Sequence, residues 1–183
     1  MNFTQTRGAT PAYPAPGEVA LEAAVTQDRA AALIATSWAM AETFTGRNYW
    51  PVTAAQFTAE AGEACELWWP RSPAPVSVMV ERLSGRQWVP DDGPMYDAPS
   101  GHLAFCAPGA RYRVTQVGTV TPAPGAHVVE AVRALALYQA INSAARREFR
   151  QVQAGDSTLT REAMGGLFQA SGAGIVLAGE VRW

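Results

Sequence analysis

Two cysteines and two histidines are the residues of this chain that first suggest chemistry. Cys65 and Cys106 stand far apart, each among apolar or aromatic neighbours, and the histidines are His102 and His127. A structural zinc site needs four ligands in closely spaced pairs, so these residues do not predict one. Two buried free thiols are the simplest interpretation. The alternative is a small hydrolase in which Cys65 or Cys106 is the nucleophile and His102 the base.

Other catalytic motifs are excluded by composition or disfavoured by context. All 14 basic residues are arginine, so neither a Schiff-base lysine nor the lysine of a phosphate-binding loop is available. Asp91-Asp92 resembles an acidic metal-binding pair, but Gly93-Pro94 follow it, which indicates an exposed turn. The sequence contains no nucleophile elbow and no metal-binding helix motif. We therefore predict that the protein is not an enzyme and uses no cofactor or metal.

Length and charge narrow the class of protein further. The chain has 183 residues, of which 48% are hydrophobic, enough for one domain or one domain with an insertion. Its net charge is −2, whereas a general nucleic-acid-binding protein is normally basic. No apolar run reaches the roughly 18 residues of a membrane span, and no signal-peptide core follows the N-terminus. The sequence predicts a protein made in the cytoplasm, with no membrane partner.

The N-terminal quarter of the chain reads as an arm followed by a helix. Residues 1–17 contain three prolines and two glycines, which predict an extended arm or mobile tail, with a short helical turn at 18–24. Residues 26–45 then predict a helix capped by Thr26. Its expected buried face comprises Ala30, Leu33, Ile34, Ser37, Ala41 and Phe44. The arm is assigned residues 1–25.

Residues 49–121 are typical of an inserted β-rich region. Short runs of β-branched and aromatic residues alternate there with Pro, Gly and Asp, which predicts an antiparallel sheet of four to six strands. Val76, Val78 and Val80 define the expected buried face of one strand, and Ser84-Gly85 its hairpin turn. A long helix is predicted at 126–149. The fold class is α+β, a helical bundle with a small inserted antiparallel β-subdomain.

The C-terminal part of the chain, from Arg146 onward, suggests contacts rather than catalysis. Arg146, Arg147 and Arg150 form a basic helix end, which is either solvated or a subunit interface. A linker and a short helix at about 159–169 are expected next. The final residues, 171–183, are apolar and close on Trp183. Because chain ends are usually polar, this tail either folds back on its own sheet or docks on another protein.

Three motifs in series resemble the head–tail connector, or adaptor, proteins of tailed bacteriophages and gene transfer agents. The first is AETFTGRNYW at 41–50, where the first helix ends. The second is LWWPRSPAPVSVMVERLSG at 67–85, and the third is RYRVTQVGTVTPAPGAHVVEAVRALALYQAINSAARR at 111–147. Together they span about residues 26–150, in the order the family has them, and this range is assigned to the connector core.

The resemblance implies a ring, usually of twelve copies, in the neck of a virion or gene transfer agent particle. In such a ring the C-terminal segment 151–183 docks on the portal protein, and a stopper, head-closure or tail protein binds the opposite side. DNA passes through the ring without sequence-specific binding. The apolar residues of the segment are the expected portal contacts: Leu167, Phe168, Ile175, Val176, Leu177, Val181 and Trp183. The alternative within this class is another neck or tail-completion protein.

Overall fold

The chain forms two units that are built from different secondary structure. The computed structural model describes residues 1–148, 151–154, 157–160 and 166–181, without the side chains of 143–160. The helical unit consists of Pro11–Thr45 and Pro124–Val181, and the β unit of Met1–Thr10 and Gly46–Ala123. The predicted α+β class, with a β-region inserted between two long helices, is confirmed.

Three helices make up most of the helical unit: α1 (Pro16–Ala23), α2 (Gln27–Thr45) and α3 (Ala126–Glu148). Helix α2 begins where the sequence predicted, since Thr26 Oγ1 accepts a hydrogen bond from the Arg29 N–H at 3.3 Å. It ends before Gly46, whose φ of 71° is the left-handed conformation that favours glycine. The bounds of α2 and α3 match the predicted helices, apart from Phe149, which lies outside the described residues.

The buried face of α2 is centred on an aromatic residue that does not belong to the predicted apolar stripe. Trp38 is fully buried, and its Nε1–H donates to the Tyr13 carbonyl at 3.1 Å. Ser37 is also buried and accepts a hydrogen bond from Gln139 Nε2 of α3 at 2.9 Å. Phe44, predicted on the buried face, is instead exposed at the end of the helix. The α2–α3 interface therefore combines apolar packing with a hydrogen bond that satisfies the buried Ser37 hydroxyl.

The β unit contains a five-stranded and a three-stranded antiparallel sheet. The larger sheet has the order β1-β2-β8-β4-β5 and the smaller one β3-β7-β6. The strands are β1 (Asn2–Arg7), β2 (Val52–Glu60), β3 (Leu67–Trp68), β4 (Ser77–Ser84), β5 (Gln87–Pro90), β6 (Met95–Asp97), β7 (His102–Ala104) and β8 (Arg111–Val117). Ser84 pairs with Gln87 across the predicted hairpin turn, where Gly85 has a φ of 61°.

An aromatic cluster fills the core of the β unit. Phe57 of strand β2 faces Trp69 edge-on, with ring centroids 5.5 Å apart, and Phe3 of β1 approaches the same indole at 6.1 Å. Tyr112 is buried beside them, and its hydroxyl oxygen accepts a hydrogen bond from the Ala107 N–H at 2.8 Å. Such rings bury large apolar areas, so this cluster supplies much of the stability of the unit.

Residues 1–25, which were assigned to an extended or mobile arm, instead contain a strand and a helix. Asn2–Arg7 form strand β1, which pairs with β2 along its length, Phe3 opposite Phe57. Pro16–Ala23 form helix α1 rather than a single turn. The segment NFTQTR has one large apolar residue and no alternation strong enough to predict a strand. Its order comes from pairing with a strand some fifty positions later in the chain.

The region after α3 also differs from expectation. A short helix was predicted at about 159–169, but 157–160 form a strand and helix α4 begins only at Leu167. Strands β9 (Gln151–Ala154) and β10 (Ser157–Thr160) pair with each other in an antiparallel hairpin. Helices α4 (Leu167–Ala170) and α5 (Ala173–Ala178) follow. The polar linker region thus contains a hairpin, and within the apolar tail Ala173–Ala178 form a helix.

Strand β4 buries a carboxylate where the sequence predicted a wetter face. Val78 and Val80 pack against the core of the β unit, but Val76 is 86% exposed. Glu81 is buried and receives two hydrogen bonds of 2.6 Å from the guanidinium of Arg113, directly opposite on β8. These hydrogen bonds hold the pKa of Glu81 below its ordinary value; burial opposes that effect, and the Arg113 charge adds to it.

The Glu81→Gln variant is expected to lower the Tm by about 3–8 °C at pH 7, because it replaces charge-assisted hydrogen bonds with neutral ones. A carboxylate with a lowered folded pKa stabilises above the pKa it has when unfolded, and that contribution disappears as the pH falls through the folded pKa. The difference from the unmodified protein should therefore shrink below about pH 4. Thermal unfolding followed by circular dichroism, at pH 7 and below about pH 4, measures this difference in Tm between the variant and the unmodified protein.

The matched control for this prediction is Arg82→Gln, at the next position of β4. Arg82 is half exposed and lies 3.3 Å from Asp91, so its ion pair is screened by solvent. We expect its Tm to change by no more than about 2 °C. Equal losses in the two variants would contradict the special contribution of the Glu81–Arg113 pair.

Candidate docking surface of the helical unit

Helix α5 separates the apolar residues of the C-terminal segment into a buried and an exposed set. Ala173 and Leu177, four positions apart, lie on one face of the helix and are fully buried in the helical unit, where α5 packs against α3. Ile175 is 82% exposed and Val176 41% exposed. A soluble helix normally places such β-branched side chains inward. The exposed pair is therefore the part of this segment available for contact.

The position of α5 is set by glycine before it and by a polar contact after it. Gly172 precedes the helix with a φ of 75°, a conformation that side chains other than glycine rarely adopt. Beyond the helix, Glu180 Oε1 lies 2.9 Å from His127 Nε2, at the start of α3. This contact links two residues that are 53 positions apart, and nothing in the local sequence predicts it. Ile175 and Val176 are thus presented from an anchored helix.

A second apolar feature of the helical unit lies beside α4. The rings of Phe44 and Phe168 are stacked with centroids 4.5 Å apart, at the edge of an open groove of about 420 Å³. The remaining lining residues belong to α2: Thr36, Ala39, Met40 and Thr43. Both threonine hydroxyls donate to carbonyls one turn earlier, at 2.9 Å, so the groove offers almost no free hydrogen-bonding group. We call this feature the Phe44 groove.

The predicted portal contacts fall into three groups. Leu167 and Leu177 are buried within the helical unit, so they hold α4 and α5 in place and are not available as surface contacts. Phe168, Ile175, Val176 and Val181 remain partly or largely accessible. Trp183 lies outside the described residues. No local pattern of residues signals this division, because it depends on which face of each helix meets α3.

Of the predicted interface arginines, the structure describes only the backbone of Arg146 and Arg147. Arg146 and Arg147 belong to the last turns of α3, but their side chains lie outside the described part of the chain. Arg150 is not among the described residues. Their role at a subunit interface stays a prediction.

Cys106 has the opposite of the environment that a nucleophilic thiol needs. Cys106 is buried, with its Sγ 3.7 Å from the Leu103 carbonyl, and burial raises its pKa to about 11. His102 is stacked on Trp68, with ring centroids 4.4 Å apart, and its Nε2 lies 3.5 Å from a carboxylate oxygen of Glu66. A protonated thiol in an apolar core is not activated for attack. The geometry therefore disfavours Cys106 as the nucleophile of a thiol enzyme.

The remaining candidates for chemistry are also structural. Asp91 Oδ1 accepts the Gly93 N–H at 3.1 Å, which is the turn predicted for the acidic pair. Within residues 1–148, 151–154, 157–160 and 166–181, no three His, Cys, Asp or Glu side chains are grouped to hold a metal ion. In the same ranges no helix has the length and apolar character needed to span a bilayer.

Similarity to known proteins is found in structure and not in sequence. No family model and no curated protein matches the chain. Among solved structures, a chain in the virion of a native gene transfer agent (GTA) particle aligns with a TM-score of 0.62 and 11% identity, covering 100% of this chain and 96% of the other. A chain in the neck of a native GTA particle, computed with C12 symmetry, aligns with a TM-score of 0.57 and 15% identity, covering 100% and 96%.

A third match is to a chain in the neck of an empty GTA particle, computed with C6 symmetry. Its TM-score is 0.55 at 13% identity, and the alignment covers 93% of this chain and 95% of the other. Identities this low establish the fold alone. The protein therefore has the fold of a chain found in gene transfer agent necks, and the resemblance seen in the three sequence motifs is confirmed at that level.

Proposed function

We propose that this protein is a structural adaptor in the neck of a gene transfer agent or related tailed particle. The observation that carries the proposal is the near-complete structural match to two chains in GTA necks and one in a GTA virion, over at least 93% of both chains. A match that includes both units supports a whole protein of this type rather than a shared motif. The burial of Cys106 and the raised pKa of its thiol argue against the alternative of a thiol enzyme that uses this residue.

The proposed assembly is a homo-oligomeric ring of twelve copies. The matched necks were computed with C12 and C6 symmetry, which suits such a ring. One side of the ring binds the portal protein and the other a stopper, head-closure or tail protein. DNA passes through the lumen without sequence-specific binding, and a net charge of −2 favours passage over retention.

The portal contact is proposed to use the exposed residues of the C-terminal helices. Ile175 and Val176 project from α5, while Leu177 anchors the same helix in the helical unit. Burying an aliphatic side chain stabilises a complex by about 1.5–3 kcal/mol. Repeated around a ring, such modest contacts give very slow dissociation. Phe168, Val181 and Trp183 complete the proposed contact set, with Leu167 and Leu177 as its internal supports.

Removal of the gene from the producing strain tests the proposal. We expect heads that contain DNA but lack tails, because the portal would have no ring on which the tail-side proteins assemble. Negative-stain electron microscopy counts tailed and tailless particles, and a cryo-electron microscopy map of intact necks locates the chain. Normal tails in the deletion strain would contradict the adaptor role. A position lower in the neck, without portal contact, would favour another neck or tail-completion protein.

A further inference from the structure

Strand β1 forms an open edge of the large sheet in the β unit. It pairs with β2 on one side, and no described strand pairs with its other side. Its residues from Asn2 to Thr6 carry no charge and include no proline. The opposite edge strand, β5, has four residues, ends in Pro90 and is followed by Asp91. Charges, prolines and shortness are the usual protection against pairing with another chain, so the β5 edge is protected and the β1 edge from Asn2 to Thr6 is not.

Hydrogen bonds in the neighbouring strands identify the backbone groups at this edge. Just beyond β2, the Ala61 N–H donates to the Ala110 carbonyl at 2.9 Å, and the Ala61 carbonyl accepts from the Gly109 N–H at 2.8 Å. The Ala61 backbone therefore faces the β8 side. Since backbone groups alternate sides along a strand, those of Thr58 and Gln56 face β1.

The alternation continues across to β1. Thr4 is opposite Gln56, so the two backbones face each other, and the N–H and C=O groups of Phe3 and Gln5 point away from the sheet. The Gly8 N–H, four positions after Thr4, donates to the Pro51 carbonyl at 2.8 Å, as expected if every second residue from Thr4 onward faces the β2 side. The edge therefore offers an ordered row of unused hydrogen-bonding groups.

A second incomplete β element lies in the other unit. Strands β9 and β10 pair with each other and with no other described strand. Neither strand, QVQA or STLT, contains a charged residue. An isolated two-stranded hairpin is only marginally stable in water, and a third strand stabilises it. The chain thus contains both an unprotected sheet edge and a hairpin that lacks a neighbour.

We propose that in the assembled ring the β9–β10 hairpin of one copy pairs with the β1 edge of the adjacent copy, which extends its five-stranded sheet. The proposal rests on the ring proposed above. A contact between two different surfaces of the same protein repeats head to tail, and it forms a ring when the rotation between neighbouring copies closes. Main-chain hydrogen bonds supply the pairing energy, as in other cases of strand addition. The adjacent copy also supplies the hairpin at high effective concentration.

The Gln5→Pro variant tests the pairing, because proline removes the outward N–H without removing a hydrogen bond to β2. Gln5→Ala is the matched control, since it removes the same side chain and keeps the N–H. We expect the concentration needed for ring formation on portal to rise about tenfold from Gln5→Ala to Gln5→Pro. Mass photometry of each variant mixed with portal, over a range of concentrations, measures the concentration at which rings form. Equal assembly by the two variants would overturn the proposal.

Hydrogen exchange on assembled necks provides a test that does not depend on a folded proline variant. The amides of Phe3 and Gln5 should exchange at least about tenfold more slowly in the ring than in the isolated chain. A variant with Gly-Ser residues in place of 151–160 should lose this protection. Protection that survives in that variant would mean that another segment occupies the edge, and the proposal would be wrong. If no ring is found in wild-type necks, the proposed adaptor function itself fails.

Discussion

The Ile175→Asp variant is expected to lose most of its affinity for portal and to yield mainly tailless particles. Ile175 is 82% exposed on α5 and makes no contribution to the core, so the chain should fold normally. At a portal interface the substitution replaces apolar burial of about 1.5–3 kcal/mol per subunit with a desolvated charge, a loss of at least about tenfold in affinity per contact. Portal co-sedimentation and counts of tailed particles by electron microscopy measure the two effects.

Leu21→Asp is the matched control for Ile175→Asp. Leu21 is 86% exposed on α1, in the same unit, and the substitution adds the same charge to another helix surface. We expect it to leave portal binding and tail attachment unchanged. If the two variants behave alike, whether both active or both inactive, the proposed docking role of α5 is contradicted. Thermal unfolding of both variants establishes that the folded state is retained.

The Gly101→Ala variant is expected to destabilise the β unit by about 2–5 kcal/mol. Gly101 has a φ of 71°, which costs an alanine about 1–2 kcal/mol. In addition, a Cβ there would lie 2.8 Å from Ala74 Cβ and 2.9 Å from Trp69 Cβ, both at the root of a side chain that cannot rotate away. Relief of such an overlap by backbone movement costs a further 1–3 kcal/mol, approximately.

Gly109→Ala separates the two components of that effect. Gly109 has the same φ of 71°, but a Cβ placed there meets no atom within 4 Å. Its cost should therefore be the conformational part alone, about 1–2 kcal/mol. Urea unfolding monitored by tryptophan fluorescence compares the two, since Trp69 lies in the affected core. A Gly101→Ala variant no less stable than Gly109→Ala would show that the turn moves away from Trp69 without cost.

The positions of α2 and α3 were predictable because their signals are local. The Thr26 cap and the glycine after Thr45 act within one turn of the helix ends. The hairpin at Gly85 was predictable for the same reason, since its turn residue is itself the signal. Even so, Trp38 was missed and Phe44 was misplaced on α2. A helical stripe identifies an approximate face, but only the packing partner decides which side chains at its margins are covered.

For the candidate docking surface, the sequence predicted only which segment makes contacts, from its apolar composition, and not which of its side chains are exposed. The apolar character of residues 171–183 indicated contacts, but the predicted set treated Leu177 and Ile175 alike. The fold separates them, because α5 rests on α3 through Leu177 and turns Ile175 outward. The contact between Glu180 and His127 that holds this end has no local signature, since it joins residues 53 positions apart.

From its residue order alone, the chain determined where its long helices begin and end, which stretch becomes β structure, and that lysine-dependent chemistry is absent. These properties follow from interactions within a few positions along the backbone. Tertiary structure decided that Asn2–Arg7 join the sheet, that Glu81 is buried against Arg113, and which C-terminal residues stay exposed. Each of these depends on a partner distant in sequence, and the free energy of such pairings belongs to the assembled core rather than to either segment.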